Sequence, residues 1–128
     1  MSGSRALLVT ADDSTGATEA GAACADAGLE VDVVPFGVST PQTPDGGCVV
    51  VDLRSRHVSA GVARDRVAAT TGERHRMHKI DSTLRGNWSS ELQALVDRGR
   101  RVVLIPSHPR AGRVCRGGVV YVNGVPVA

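Results

Sequence analysis

The stretch RALLVTADDSTGA, residues 5–17, carries the reading of the fold. Its first half, residues 5–11, is a short apolar run of the kind found in strands buried on both faces. Its second half turns polar at Asp12-Asp13-Ser14-Thr15-Gly16. Ala17, Ala20, Gly21, Cys24 and Ala27 then recur at helical spacing. Asp13 or Ser14 is placed to cap that helix and Gly28 to end it. The inner face of the helix is made of small residues, which predicts close packing on a sheet.

The same alternation continues along the chain. Residues 30–36 read as a second strand, followed by an irregular loop over 37–47 that bears prolines and glycines. Residues 48–53 (CVVVDL) read as a third strand, and Ser59 caps a helix carrying Val62, Ala63 and Val67 that Gly72 ends. Residues 75–81 read as a fourth strand. Trp88, Leu92, Leu95 and Val96 share one face of the next helix, with Glu91 in its first turn, where the macrodipole favours a carboxylate. Residues 101–105 (RVVLI) predict a fifth strand, and residues 106–118 a basic, proline-bearing loop. Residues 119–127 predict a hairpin turned at Asn123-Gly124, a pair suited to a type I′ turn. Strands alternating with helices imply right-handed crossovers and a mostly parallel sheet with flanking helices, an α/β fold that closes on a C-terminal β-hairpin. The whole of residues 1–128 is read as one domain.

Composition narrows the function classes. The 41% hydrophobic and 22% charged content is that of an ordinary globular protein. No apolar run is long enough for a membrane helix, and the N-terminus lacks the apolar region of a signal peptide, so a cytoplasmic protein without membrane contact is expected. The net charge of +2 is weak, and Phe36, Trp88 and Tyr121 are the sole aromatics, which argues against nucleic acid as a partner. Cys24, Cys48 and Cys115 show no CxxC spacing and read as small reduced hydrophobes. The histidines have no common metal-site spacing, so no metal is expected to bind this chain. His57, His75, His78 and His108 take structural or surface roles.

Polar clusters stand at the ends of the strands: Asp12-Asp13, residues 52–56, residues 78–87 (HKIDSTLRGN) and residues 108–113. Singly, each reads as a cap, a turn or a solvated charge. On parallel strands they line one rim, where open α/β sheets bind ligands. Asp12, Asp13, Asp52 and Asp81 accept hydrogen bonds from hydroxyls, while Lys79, Arg56, Arg85 and Arg113 can pair with an anion. Ser82 and Thr83 add hydroxyls, and the helix after Gly86 adds backbone donors. Acceptors for hydroxyls beside a clamp for a carboxylate describe a small polyhydroxy acid. Neither GxxxxGK[ST] nor GxGxxG after a strand is present, so neither a P-loop nor a dinucleotide site is read.

These residues are similar to a known pattern. ADDSTGA over 11–17 resembles the ADDxTGA opening of the four-carbon acid sugar kinase family, and residues 79–87 are similar to its KIDSTLRGN signature. Residues 106–126, with AGR at 111–113 and YVNGVP at 121–126, resemble its PAFPxAGR…YVNGVP segment. The resemblance implies an N-terminal acid-sugar-binding domain of a kinase acting on acids such as threonate or erythronate, with Asp12, Arg56 and residues 79–85 contacting the substrate. The sequence departs from the pattern at Leu53-Arg54, where the family has Thr and then Asp or Glu. It departs again at Ser14, where leucine is common, and at Ser107-His108, where the family has Ala-Phe.

Family members are much longer and carry a C-terminal nucleotide-binding domain. Phosphoryl transfer needs a phosphate cradle and a metal site, and neither is read here. The catalytic residues therefore stay unassigned. The expectation is a substrate-binding half of a split or truncated kinase, with ATP and Mg2+ held by a partner nucleotide-binding domain. The alternative is a non-catalytic hydroxy-acid-binding or regulatory module, or an inactive remnant. An enzyme using Asp13 or Asp81 as general base is a third reading. A homodimer or a hetero-complex is expected, because the sheet and hairpin would otherwise expose apolar edges.

Overall fold

The computed structural model describes residues 6–38, 46–71 and 75–127. Within them β1 (Leu7–Ala11), α1 (Ser14–Asp26), β2 (Val31–Pro35), β3 (Cys48–Asp52), α2 (Ala60–Ala69), β4 (His75–Lys79) and α3 (Trp88–Val96) follow in order. Three short strands then close the chain: β5 (Arg113–Arg116), β6 (Val119–Val122) and β7 (Val125–Pro126). The predicted start of the first strand at Arg5 and the helix stop at Gly72 lie outside the described residues, as does most of the loop after β2.

The first four strands form a parallel sheet in the order β2-β3-β1-β4. Parity along each strand divides the core between its two faces. Val9, Ala11, Cys48 and Val50 point toward α1 and pack with Ala17, Ala20 and Cys24. Leu8, Val49, Val51 and Leu53 point the other way and pack with Val67 of α2 and Ala94 and Leu95 of α3. The small-residue face of α1 lets it come close. A Cβ added at Gly21 would sit 2.8 Å from Cγ2 of Val33, so nothing larger than glycine fits there without a shift.

Because α1 covers one face while α2 and α3 cover the other, the chain leaves β1 in the opposite direction from its neighbours β3 and β4. That divergence opens a crevice at the carboxyl end of β1, the place where sheets of this class bind ligands. The register sets Ala11 beside both Asp52 and Lys79, so the residues that follow all three strands emerge together.

The predicted fifth parallel strand does not form. Residues 101–105 are irregular and mostly exposed, Val103 to 86%, and among the described residues β4 keeps an unpaired edge. A cavity separates the segment from Arg76, Met77 and His78 of β4, and closing it would bring arginines together. Burial, together with the nearby Arg100 and Arg98, lowers the pKa of Arg76 in β4 to about 10. Drawing the arginine-rich start of the segment against that strand would raise this repulsion.

The predicted C-terminal hairpin is present as β6 and β7, with positive φ at both Asn123 and Gly124, as a type I′ turn requires. The structure adds β5 to it, taken from the predicted basic loop, and makes a three-stranded antiparallel sheet. On α3, Val96 is exposed, against the expectation that it shares the buried face, while Glu91 lies in the first turn as expected and is fully buried. No helix among the described residues is long and apolar enough to cross a membrane.

Candidate functional site

Asp13 ends the turn after β1 in extended backbone and caps α1, its Oδ1 accepting from the Gly16 amide at 2.8 Å. Asp12 precedes it and is buried; its carbonyl accepts from the amides of Ser55 and Arg56 at 2.9 and 3.2 Å. The loop after β3 is therefore laced to the loop after β1, and this places Arg56 over the crevice.

Arg56 is the hub of the rim. Its Nε and Nη2 donate to the two oxygens of Asp12 at 2.9 and 3.1 Å, a bidentate pair. Nη1 lies 2.8 Å from Asp13 and Nη2 lies 3.5 Å from Asp81. The Asp12 hydrogen bond chiefly holds the guanidinium pKa above its ordinary value. Burial opposes that rise, and the charges of Asp12, Asp13 and Asp81 add to it. The side chain is only 13% exposed.

The segment after β4 wraps around a second carboxylate. Oδ2 of Asp81 accepts from the Thr83 hydroxyl, from the amides of Thr83 and Arg85 at 3.2 and 3.1 Å, and from Arg85 Nε at 2.9 Å. Arg85 Nη2 reaches the other oxygen at 2.8 Å. The Arg85 guanidinium leads in holding the Asp81 carboxyl far below the usual carboxylate range. Thr83 and the backbone donors add to this against the cost of burial. A carboxyl held so firmly ionised is a weak base.

The turn stores positive φ at Leu84 (60°) and Gly86 (83°). At Gly86 the reason is contact. A Cβ there would stand 3.0 Å from Asp12 Oδ2 and 3.4 Å from the Arg56 Cα, so the backbone can pass the Asp12–Arg56 pair only as glycine. Asn87 follows and makes no cap bond. Its Nδ2 instead donates to the carbonyls of Ser55 and Val58 at 2.9 and 2.8 Å, joining the two loops.

These parts enclose a polar cleft of about 390 Å³ lined by Asp13, Thr15, Arg56, Lys79, Asp81 and Arg85, with Ser82 and Glu19 at its edge. Lys79 donates to the Ile80 carbonyl at 3.0 Å and lies 3.8 Å from Glu19. Of the predicted site residues, Asp12, Asp13, Arg56, Lys79, Asp81, Ser82, Thr83 and Arg85 come together around this crevice. Thr83 serves as a turn residue on Asp81, and Asp12 faces Arg56.

Arg113 is not brought in. It lies on β5, donates to the Ala111 carbonyl, and lines a larger, mainly apolar groove of about 800 Å³ beside α1. Lys79 and Ser82 border that groove from the other side. Asp52 turns back on its own loop, accepting from the Arg54 amide at 3.0 Å. Leu53, where the sequence departs from the family pattern, is buried in the core between sheet and helices and does not reach the rim.

Beneath the cleft stand residues that the sequence did not single out as functional. Glu91 is fully buried between Ser55 and His78, and His78 reaches Thr10. A signal was present for one link: Thr10 and His78 are register partners on adjacent parallel strands and so share a face.

The sequence profile described as "Sugar-binding N-terminal domain" matches residues 7–128. Among curated relatives, a D-threonate kinase of Cupriavidus necator is 34% identical over 127 residues, covering 94% of this chain and 30% of its own length. A 3-oxo-tetronate kinase of Methylobacterium radiotolerans is 35% identical over 137 residues, covering 97% of this chain and 32% of its own. A D-erythronate kinase of Heliobacterium modesticaldum is 30% identical over 135 residues, covering 94% and 30% respectively. The chain thus spans about 30% of the length of the curated relatives it matches.

Proposed function

This chain belongs to the family of sugar-binding N-terminal domains, and from that premise we propose that its rim binds a four-carbon sugar acid as the substrate-binding part of an ATP-dependent acid sugar kinase. The observation that carries this reading is one cleft in which two outward cations, Lys79 and Arg85, stand beside the carboxylates of Asp13 and Asp81. A tetronate offers a carboxylate at one end and hydroxyls along the rest.

In this reading Lys79 Nζ and the outward N–H groups of Arg85 face the substrate carboxylate. Asp13 and Asp81 accept from its hydroxyls. Each carboxylate oxygen accepts about two hydrogen bonds, so both oxygens of Asp13 and Oδ1 of Asp81 keep capacity for a ligand, while Oδ2 of Asp81 is filled by Thr83 and Arg85. Ser82 and Thr15 add hydroxyls at the cleft wall. Asp12 holds Arg56, and Arg56 holds Asp13 and Asp81 in place.

ATP and Mg2+ are assigned to a nucleotide-binding domain beyond these residues, in the same chain or in a partner. The residues present do not suit Mg2+: Asp12 and Asp81 are each committed bidentately to an arginine. No phosphoryl-transfer step is therefore routed through them. The exposed β4 edge and the apolar residues 102–105 support association with such a partner.

The test is thermal unfolding with D-threonate, D-erythronate, shorter and longer sugar acids, the uncharged polyol erythritol, and ATP–Mg2+. A ligand at 100 times its dissociation constant adds about 2.7 kcal/mol, a shift of several degrees in a domain of this size. The expected result is a shift with tetronates, none with erythritol or ATP–Mg2+, and loss of the tetronate shift in Arg85→Ala. No tetronate shift, or an equal shift with erythritol, would overturn the assignment.

A further inference from the structure

The strands that present the rim are tied together underneath it by a buried polar chain. Glu91 of α3 is 0% exposed, and its two oxygens are used separately. Oε1 accepts from the Ser55 hydroxyl, and Oε2 lies 2.9 Å from Nε2 of His78. The other ring nitrogen of His78, Nδ1, lies 2.8 Å from Oγ1 of Thr10. Side chains alternate along a strand, so Thr10 and His78 face α3 while their neighbours Ala11 and Lys79 face α1.

The places of these residues in the chain carry the argument. Ser55 directly precedes Arg56, and His78 directly precedes Lys79. Thr10 lies just before the Ala11-Asp12 step. One carboxylate thus reaches the backbones that deliver Arg56 and the segment from Lys79 to Arg85, and through His78 the strand that delivers Asp12. Buried polar contacts of this kind are a poor source of stability, since apolar residues of the same shape do nearly as well or better. What such a buried polar network adds is a single relative placement of the elements it joins.

We propose that Glu91, with Ser55 and His78, is a positioning unit for sugar-acid binding. It sets the Arg56 loop and the Lys79–Arg85 segment in the one register at which their side chains face a common cleft. None of the three touches the ligand. The effect on binding rests on the reading of the rim given above; the effect on Arg56 does not.

The variants are Ser55→Ala, Glu91→Gln and Glu91→Ala. Ser55→Ala removes only the hydroxyl tie and keeps the backbone bonds from the Ser55 amide to Asp12 and from Asn87 to the Ser55 carbonyl. Two quantities are read in the same samples: the dissociation constant for D-threonate and D-erythronate by calorimetry, and hydrogen exchange at Arg56 Nε–H by NMR without ligand. In Ser55→Ala the dissociation constant is expected to rise about ten-fold, the scale of a slightly misplaced contact group. Exchange at Arg56 accelerates in parallel. Glu91→Gln, which keeps the shape, has a smaller effect than Glu91→Ala.

A merely structural role would lower the melting temperature while leaving the affinity of the folded protein and the Arg56 exchange as they are. That result in Ser55→Ala and Glu91→Gln would overturn the proposal, even where Glu91→Ala fails to fold. If the wild-type chain binds neither tetronate, the rim reading falls. The Arg56 exchange rates then decide the positioning role alone.

Discussion

Replacing Gly86 by alanine tests the geometry of the rim at its tightest point. Gly86 has φ of 83°, a conformation that an L side chain adopts at a cost of about 1–2 kcal/mol. Stiffening the unfolded chain returns about 0.4–1 kcal/mol of this. Gly99, just after α3, supplies the control, because its φ is 77° and an added Cβ there meets nothing within 4 Å. Gly99→Ala therefore reports the backbone term alone, about 1 kcal/mol. At Gly86 the new methyl also stands 3.0 Å from Asp12 Oδ2, 3.3 Å from Arg56 Cγ and 3.4 Å from the Arg56 Cα. Asp12 cannot yield alone, since both of its oxygens are held by Arg56. Overpacking of this kind adds about 1–3 kcal/mol.

Gly86→Ala is thus expected to lose about 3 kcal/mol, roughly 10 °C or more in melting temperature, against a few degrees for Gly99→Ala. Thermal unfolding of both variants measures the difference, and calorimetric titration with D-threonate measures the consequence for binding. The methyl presses on the pair that holds Asp13 and Asp81, so Gly86→Ala binds at least ten-fold more weakly by the same positioning logic, while Gly99→Ala binds as wild type. Equal destabilisation in the two variants, with unchanged affinity in both, would refute the close approach of Gly86 to the Asp12–Arg56 pair.

Two further outcomes follow from the charges of the rim. Arg56→Ala leaves Asp12, Asp13 and Asp81 facing one another without their shared cation, and the loss expected for breaking such a buried pair is about 3 kcal/mol, read by denaturant unfolding; a loss no greater than at an exposed arginine would show that Arg56 is not the hub. Asp81 has its folded-state pKa below the unfolded value of about 3.9, so its stabilisation is fully present above about pH 4 and fades as pH falls toward the folded value. Asp81→Asn is therefore less stable than wild type at pH 7, and the gap narrows below pH 4. A gap independent of pH would deny the carboxylate that role.

Local signals made most of the fold and most of the rim legible. The step from an apolar run to Asp-Asp-Ser-Thr-Gly and then to small residues at helical spacing announced β1, a cap and a closely packed α1 in one stretch. Asp13 does cap that helix, and it faces Arg56 with its other oxygen, so capping and pairing coexist in one side chain. What local reading could not reach was set by distant partners. Residues 101–105 have strand composition, but a strand needs a hydrogen-bonded neighbour, and here a cavity separates them from Arg76, Met77 and His78 of β4. Glu91 looked like a first-turn carboxylate at a helix start. Its burial depends on Ser55, 36 residues away, and on His78, 13 residues away. Leu53 was readable in principle, since it continues the alternation of Val49 and Val51 into the core.

The hydrogen bonds also divide the arginines by task. Arg56 spends Nε, Nη1 and Nη2 on Asp12, Asp13 and Asp81 and is nearly enclosed, so an incoming anion would have to displace a carboxylate to reach it. Arg85 holds Asp81 from one side with its side chain 66% exposed, and so keeps donors free for a ligand. The lining of the cleft balances, with Asp13, Glu19 and Asp81 against Arg56, Lys79 and Arg85. No strong net field therefore draws in a bare anion such as acetate or phosphate. A ligand that gains from this cleft needs a carboxylate for the outward cations and hydroxyls for the inward oxygens, spaced by a short chain. On the proposed reading, a neutral but highly polar cleft of this kind selects by the spacing of unlike groups within one molecule, a requirement that a sugar acid meets.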